Sequence, residues 1–336
     1  MGIKKHEIIV YGSATRDYDG TTLNIGGAED TAHRPVFTDP SSAMEFEAVS
    51  ESASDTSQTI TITGRRAAGA IVSDSFTLNG QTPAQAGSPN TLERLMKGTI
   101  SGAHTGAVAI MGVTNVTTGT AQGGDDYQIT LAAGASAVDD YYKDMIIRTT
   151  GGTGANQIRR IISYNGTTKV ATVWPWTGDN PSTDTTYEIA PGMFLDKVPY
   201  QVNEVSRQPY DIATPEDGES DITIYSKGFI HNCSQDDPAK DYTNAKVSEV
   251  AGGLADQCAF ALETSHDGSG TNGAGNDRET APSSGVGSFN SDEKDMANSG
   301  VLEPDTAQGI WWAVTLADDD SATNSYYEVK TRGMSV

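Results

Sequence analysis

Nowhere in this chain do apolar residues hold the 3.6-residue period of a helix beyond about two turns, while short runs of alternating β-branched and polar residues recur from end to end. Alternation at period two gives a strand one face to bury and one to expose. The runs EIIVYG, TTLNIG, AMEFEAV, TITITG and AIVSDSFTLNG read this way, as do DITIYSKGFIHN, CAFALET, GIWWAVTLA and SYYEVKT near the C-terminus. Glycines and small polar residues cut the runs apart, which is the grammar of an all-β chain with many turns.

At 336 residues the chain exceeds what one hydrophobic core usually serves. The expectation is an all-β fold of two or three consecutive β-sandwich or small β-barrel domains. A Gly/Thr/Asp-rich stretch, Thr117 to Asp126, reads as a junction, and Pro191, Pro199, Pro209 and Pro215 read as an extended linker or edge passage. They divide the chain into an N-terminal Ig-like β-sandwich (1–116), a small barrel or hairpin domain (117–192) and a C-terminal β-sandwich (193–336).

Three local signals are sharper. Thr59 to Thr63 alternates Thr with Ile60 and Ile62, and Val72, Phe76 and Leu78 share one parity beyond the loop Gly64 to Gly69, so a hairpin with one buried face is expected. Asp74 interrupts that face and implies an edge or a bulge. IRRIIS and KVATVW flank Tyr164, Asn165, Gly166 and Thr167, where Asn-Gly suits the positive φ of a primed hairpin turn. Thr91 to Lys97 fits one helical turn through Leu92, Leu95 and Met96, which Gly98, Gly102 and Gly106 stop from extending, and its state stays open.

The formal net charge of -23 repels phosphate backbones and anionic lipid, so neither nucleic acid nor a membrane is an expected partner. No run approaches about 20 apolar residues, and MGIKKHEIIVYG lacks the apolar stretch of a secretory signal. A soluble protein made in a cytosol is expected, with Cys233 and Cys258 as free, mostly buried thiols.

Catalytic grammar is missing. The five histidines (His6, His33, His104, His231 and His266) share no metal-ligand spacing, and no Gly-x-Ser-x-Gly elbow occurs, so the chain reads as a non-enzyme with no cofactor. Gly268, Gly270 and Gly273 match the spacing of a dinucleotide loop, but no helix pattern follows them to hold a pyrophosphate. Asp267, Asn272 and Asp277, with Asn276, are weak oxygen candidates for a cation, without the order of an EF-hand. Trp174 and Trp176 close one strand and Trp311 and Trp312 lie inside another. Alternation sends adjacent side chains to opposite faces, so these tryptophans mark an interface, a core covered from both sides, or a sugar-stacking site.

Two segments resemble virion proteins of tailed bacteriophages. DTSQTITITGRRAAGAIVSDSFTLNG resembles a hairpin common in them, with a Thr/aliphatic strand, a small-residue turn and a strand ending in Leu-Asn-Gly. YYKDMIIRTTGGTGANQIRRIISYNGTTKVATVWPW is similar to a second such segment, and GIWWAVTLADDDSATNSYYEVKTRG is more loosely similar to C-terminal β-domains of these proteins. The resemblance implies a structural part of a virion assembled in the host cytoplasm. The shared motifs occur in capsid, tail and fibre proteins alike. An acidic β-chain without active-site grammar suits a particle exterior, so the leading expectation is a head decoration or minor capsid protein whose partners are major capsid or tail proteins and copies of itself. A tail or neck component and a glycan-binding adhesin are the alternatives. No catalytic residue carries over. Arg65 and Arg66 depart from the small or acidic residues of the family's turn, which makes them interface candidates alongside the four tryptophans.

Overall fold

A computed structural model describes residues 7–14, 26–67, 69–207, 220–234, 240–250, 257–266, 279–282, 284–316 and 328–335. The protein is all-β: about half of it is strand and 2% helix, in several sheets, none closed into a barrel. The first residues carry β1 (Ile8–Ser13), β2 (Glu29–Asp30) and β3 (His33–Arg34). β4 (Phe46–Ser50), β5 (Thr59–Arg65), β6 (Ile71–Thr77), β7 (Arg94–Ile100) and β8 (Val108–Gly112) follow. Then come β9 (Thr117–Thr120), β10 (Gly123–Asp125), β11 (Gln128–Thr130), β12 (Ile146–Gly151), β13 (Ile158–Asn165), β14 (Val170–Val173) and β15 (Thr186–Ala190). β16 (Gly192–Leu195) and β17 (Glu204–Ser206) precede β18 (Ile222–Asn232), β19 (Tyr242–Val250) and β20 (Cys258–Leu262). The last are β21 (Lys294–Asp295), a single turn α1 (Ala297–Gly300), β22 (Ala307–Leu316) and β23 (Glu328–Ser335). Inside α1, Asn298 and Ser299 are left-handed, so it is a turn and no true helix.

The strands group otherwise than in three consecutive segments. Two compact units form: Val36–Arg207, and Met1–Pro35 together with Gln208–Val336. The division at 116/117 and 192/193 is corrected at both ends, because β1 pairs with β18, while β16 pairs with β8 and β17 with β7. Pro191 and Pro199 therefore flank core strands and no linker: all four residues of β16 are buried. Thr117 to Asp126 is likewise no junction, since most of it supplies β9 and β10.

In the 36–207 unit the three-stranded sheet β16-β8-β4 is central. Every residue of β8 is buried, and the run Val108–Gly112 shows no alternation because both its faces are covered. On one face Ile110 and Met193 press on Gly98 of β7, where a Cβ would come within 2.7 Å of each. On the other, Val49, Ala109, Met111 and Phe194 pack with Ile146, Ile158 and Ala190 of the seven-stranded sheet β10-β11-β14-β13-β12-β15-β9. The edge strands of that sheet, β9 and β10, are joined only by residues 121–122, which forces the sheet to curl around Ile129, Leu131, Ile147, Tyr164, Trp176 and Ile189. The β13–β14 hairpin forms, with a correction to its turn. Asn165 pairs with Val170 across a four-residue loop, the Asn165 side chain accepts from the N–H groups of Thr167 and Thr168, and the left-handed residue is Lys169.

β5 and β6 make the expected hairpin, with Ile60 and Ile62 fully buried. β6 is the sheet edge that Asp74 implies. Thr91 to Lys97 enters β7 and is no helical turn: Leu92, Leu95 and Met96 are buried, and the narrow Gly98 lets the strand run beneath Ile110 and Met193.

The other unit is a sandwich. The sheet β2-β1-β18-β22-β20 faces β21-β19-β23 across a core of Ile230, Tyr242, Val247, Phe260, Leu262 and Ile310. Cys258, Phe260 and Leu262 share one face of β20, as their parity demands. TTLNIG falls almost wholly outside the described residues.

Candidate functional site

The interface candidates separate by burial. In the β5–β6 hairpin the bonds Leu78 N–H to Gln58 O and Arg66 N–H to Ala70 O fix which residues exchange bonds with β5. With the register Ile62 to Asp74, these are the even-numbered residues of β6. The N–H and C=O groups of Ile71, Ser73, Ser75 and Thr77 therefore point away from the sheet along its outer edge. Those four residues are exposed, Ile71 by half. Thr63 with Ser73 (2.8 Å) and Thr61 with Ser75 (3.3 Å) form a hydroxyl ladder on that face, with no charged side chain along β6 there.

The hairpin tip holds the two arginines in different states. Arg65 is half-buried and its Nε donates to Glu93 at 3.2 Å. Arg66 is exposed and donates to the Asn90 side chain, which itself donates to Asp74. The Asn90 N–H adds a bond to Asp74 at 2.8 Å, so the carboxylate that breaks the buried face is satisfied internally.

The tryptophans are mainly core. Trp176 is buried, donates to the Gln128 carbonyl at 3.4 Å and lies under the Arg159 guanidinium at 5.4 Å. Trp174 is half-buried beside a recess lined by Glu51, Arg159, Thr177, Phe194 and Lys197. The recess offers about 20 Å³, room for one water and far too little for a sugar ring. Trp312 packs into the sandwich core, and Trp311, one residue away, is fully buried on the opposite face with Ala261, Tyr225, Val286 and Phe289. Both faces of β22 are covered, so of the readings open for this pair the two-sided core holds.

Some buried polar groups had little signature in the sequence. Lys227 and Glu263 form an ion pair at 2.6 Å with both side chains fully buried. The one available signal was a lysine inside the apolar run of β18, on the parity of Tyr225 and Phe229. His231 Nδ1 lies 2.8 Å from Glu29, and its Nε2 is 3.4 Å from Asp305. Asp55 is buried and accepts from Ser50 Oγ (2.6 Å), Thr105 N (2.8 Å) and Gly106 N (3.0 Å). Burial pushes its pKa up, but those hydrogen bonds outweigh it and hold the carboxyl below its usual 3.8. Cys233 and Cys258 are both free and buried. Burial raises their thiols to about 12 and about 11.

The cation candidates Asp267, Asn272 and Asp277 lie outside the described residues, as does the loop Gly268 to Gly273. Among the described residues, no three His, Cys, Asp or Glu side chains are grouped to hold a metal ion, and no helix is long and apolar enough to cross a membrane. Comparison with protein-family models, with curated proteins and with solved structures gives no match for this chain.

Proposed function

We propose that this chain is a structural, non-enzymatic component of a tailed-phage virion, acting as a head decoration or minor capsid protein on the particle exterior. The observation that carries the reading is the β5–β6 hairpin. The segment that resembles virion proteins folds into a hairpin whose outer strand offers unpaired backbone groups along an uncharged edge. Isolated soluble proteins usually blunt such an edge with charges, prolines or a covering element, because it invites another strand. In an assembled particle a neighbour's strand completes it. The buried charges support the same reading, since Asp55, Glu51 and Glu263 are engaged in holding loops and strands together. A net charge of -23 suits a surface turned away from packaged DNA.

The test is attachment of the purified chain to particles assembled without it. Ser75→Pro blocks an outward N–H and removes no internal backbone bond, and Arg66→Glu reverses the exposed charge at the tip. Both variants should fold and lose attachment. Trp174→Ala should retain it. Wild-type chain that fails to attach, or that cleaves a host glycan, refutes the proposal.

A further inference from the structure

We infer that Lys227 and Glu263 condense into an amide, leaving the mature chain with a covalent brace between β18 and the residue that follows β20. Lys227 comes from β18 and Glu263 directly follows β20, the strands on either side of β22, and the two side chains meet across it, with Nζ 2.6 Å from Oε1 and neither side chain reachable by water. They meet above Gly309, where a Cβ would lie 2.3 Å from the Glu263 carboxyl carbon, so only glycine leaves room for the carboxylate. Trp311 Nε1 donates to the same Oε1 at 3.3 Å. The Lys227 ammonium lies 4.7 Å from the centre of the Phe229 ring and 5.6 Å from that of Trp311. Gly26, at φ +88, closes over the site, and a Cβ there would meet the Trp311 ring at 2.3 Å and the Lys227 stem at 3.2 Å.

This is an environment in which the ion pair is the costly state. Desolvating two charges is repaid only in part by their attraction, whereas a neutral amide with one released water carries no such penalty. Within the pair a proton passes from Nζ to Oε1, leaving an amine and a carboxylic acid. The nitrogen lone pair attacks Cδ, and the carbonyl electrons move to Oε2. As they return, the Cδ–Oε1 bond breaks. Oε1 takes a second proton from the nitrogen and leaves as water, its departing charge steadied by the Trp311 N–H. No oxidant or cofactor enters. Fixing the reactants at contact distance supplies the effective concentration that free amines and acids lack.

The experiment is intact-mass measurement of the denatured full-length chain, followed by proteolytic mapping. The wild type should be one water lighter than its sequence, with a branched peptide joining the segments around Lys227 and Glu263 and no tryptic cleavage after Lys227. Lys227→Met and Glu263→Ala should each show the full sequence mass. A wild-type chain at full mass overturns the inference whether or not the variants fold. A water deficit that maps to any other position overturns it equally.

Discussion

Replacing Asp55 by Asn changes one atom of a buried carboxylate and should cost about 2–4 kcal/mol in the 36–207 unit, most of it absent in acid. Asp55 Oδ1 accepts from Thr105 N–H, and Oδ2 accepts from Gly106 N–H and the Ser50 hydroxyl. An amide has one acceptor oxygen, so whichever way it turns, one of the two backbone N–H groups faces an NH2. The Ser50 hydroxyl can rotate to accept, but the backbone group cannot. A buried unsatisfied donor costs about 1–3 kcal/mol, and the loss of charge assistance on the remaining bonds adds about 1. The folded carboxyl titrates below its ordinary 3.8, so its contribution is fully present above that value and is lost as pH falls through the lower folded pKa. Because the chain has two compact units, the readout should be local: hydrogen exchange at the Thr105 and Gly106 amides, beside denaturant unfolding at neutral and strongly acidic pH. Exchange should accelerate in the variant at neutral pH, and the gap from wild type should close in acid, where protonated Asp55 resembles the amide. A variant within about 0.5 kcal/mol of wild type at neutral pH, or a gap that does not change with pH, would refute this reasoning.

Gly98→Val should destabilise the same unit by about 1–3 kcal/mol in denaturant titration, because its Cβ would stand 2.7 Å from Ile110 and Met193. Gly87→Ala, with nothing within 4 Å of its Cβ, should stay within about 0.5. Neither Cys233 nor Cys258 should react with a thiol reagent at mildly alkaline pH in the folded protein, since burial holds their pKa values at about 12 and about 11; both should react once denaturant is added.

Most strands were legible in the sequence because alternation is local. Thr59 to Thr63 and Cys258 to Leu262 announce their buried faces residue by residue. Pairing is not local: nothing in EIIVYG specifies ITIYSKGFIHN as its partner, since backbone bonds carry no side-chain signature. The prolines at 191 and 199 misled for that reason, flanking a strand whose partner, β8, lies some eighty residues earlier. β7 was obscured by Gly98, which reads as a breaker but is the narrow place over which Ile110 and Met193 pack. Parity put Trp311 and Trp312 on opposite faces, yet could not say that both faces are covered. The edge of β6 was legible from Asp74, whereas the Lys227–Glu263 pair was hidden by a composition in which carboxylates are everywhere.

The proposed virion role is tested most directly by the copy number of this chain in tailed-phage particles purified from a culture that carries its gene, measured by quantitative mass spectrometry against the major capsid protein. A structural role on the particle predicts a fixed stoichiometric ratio that survives high-salt washing. Virions that lack the chain, or carry it only in traces that wash away, would contradict it.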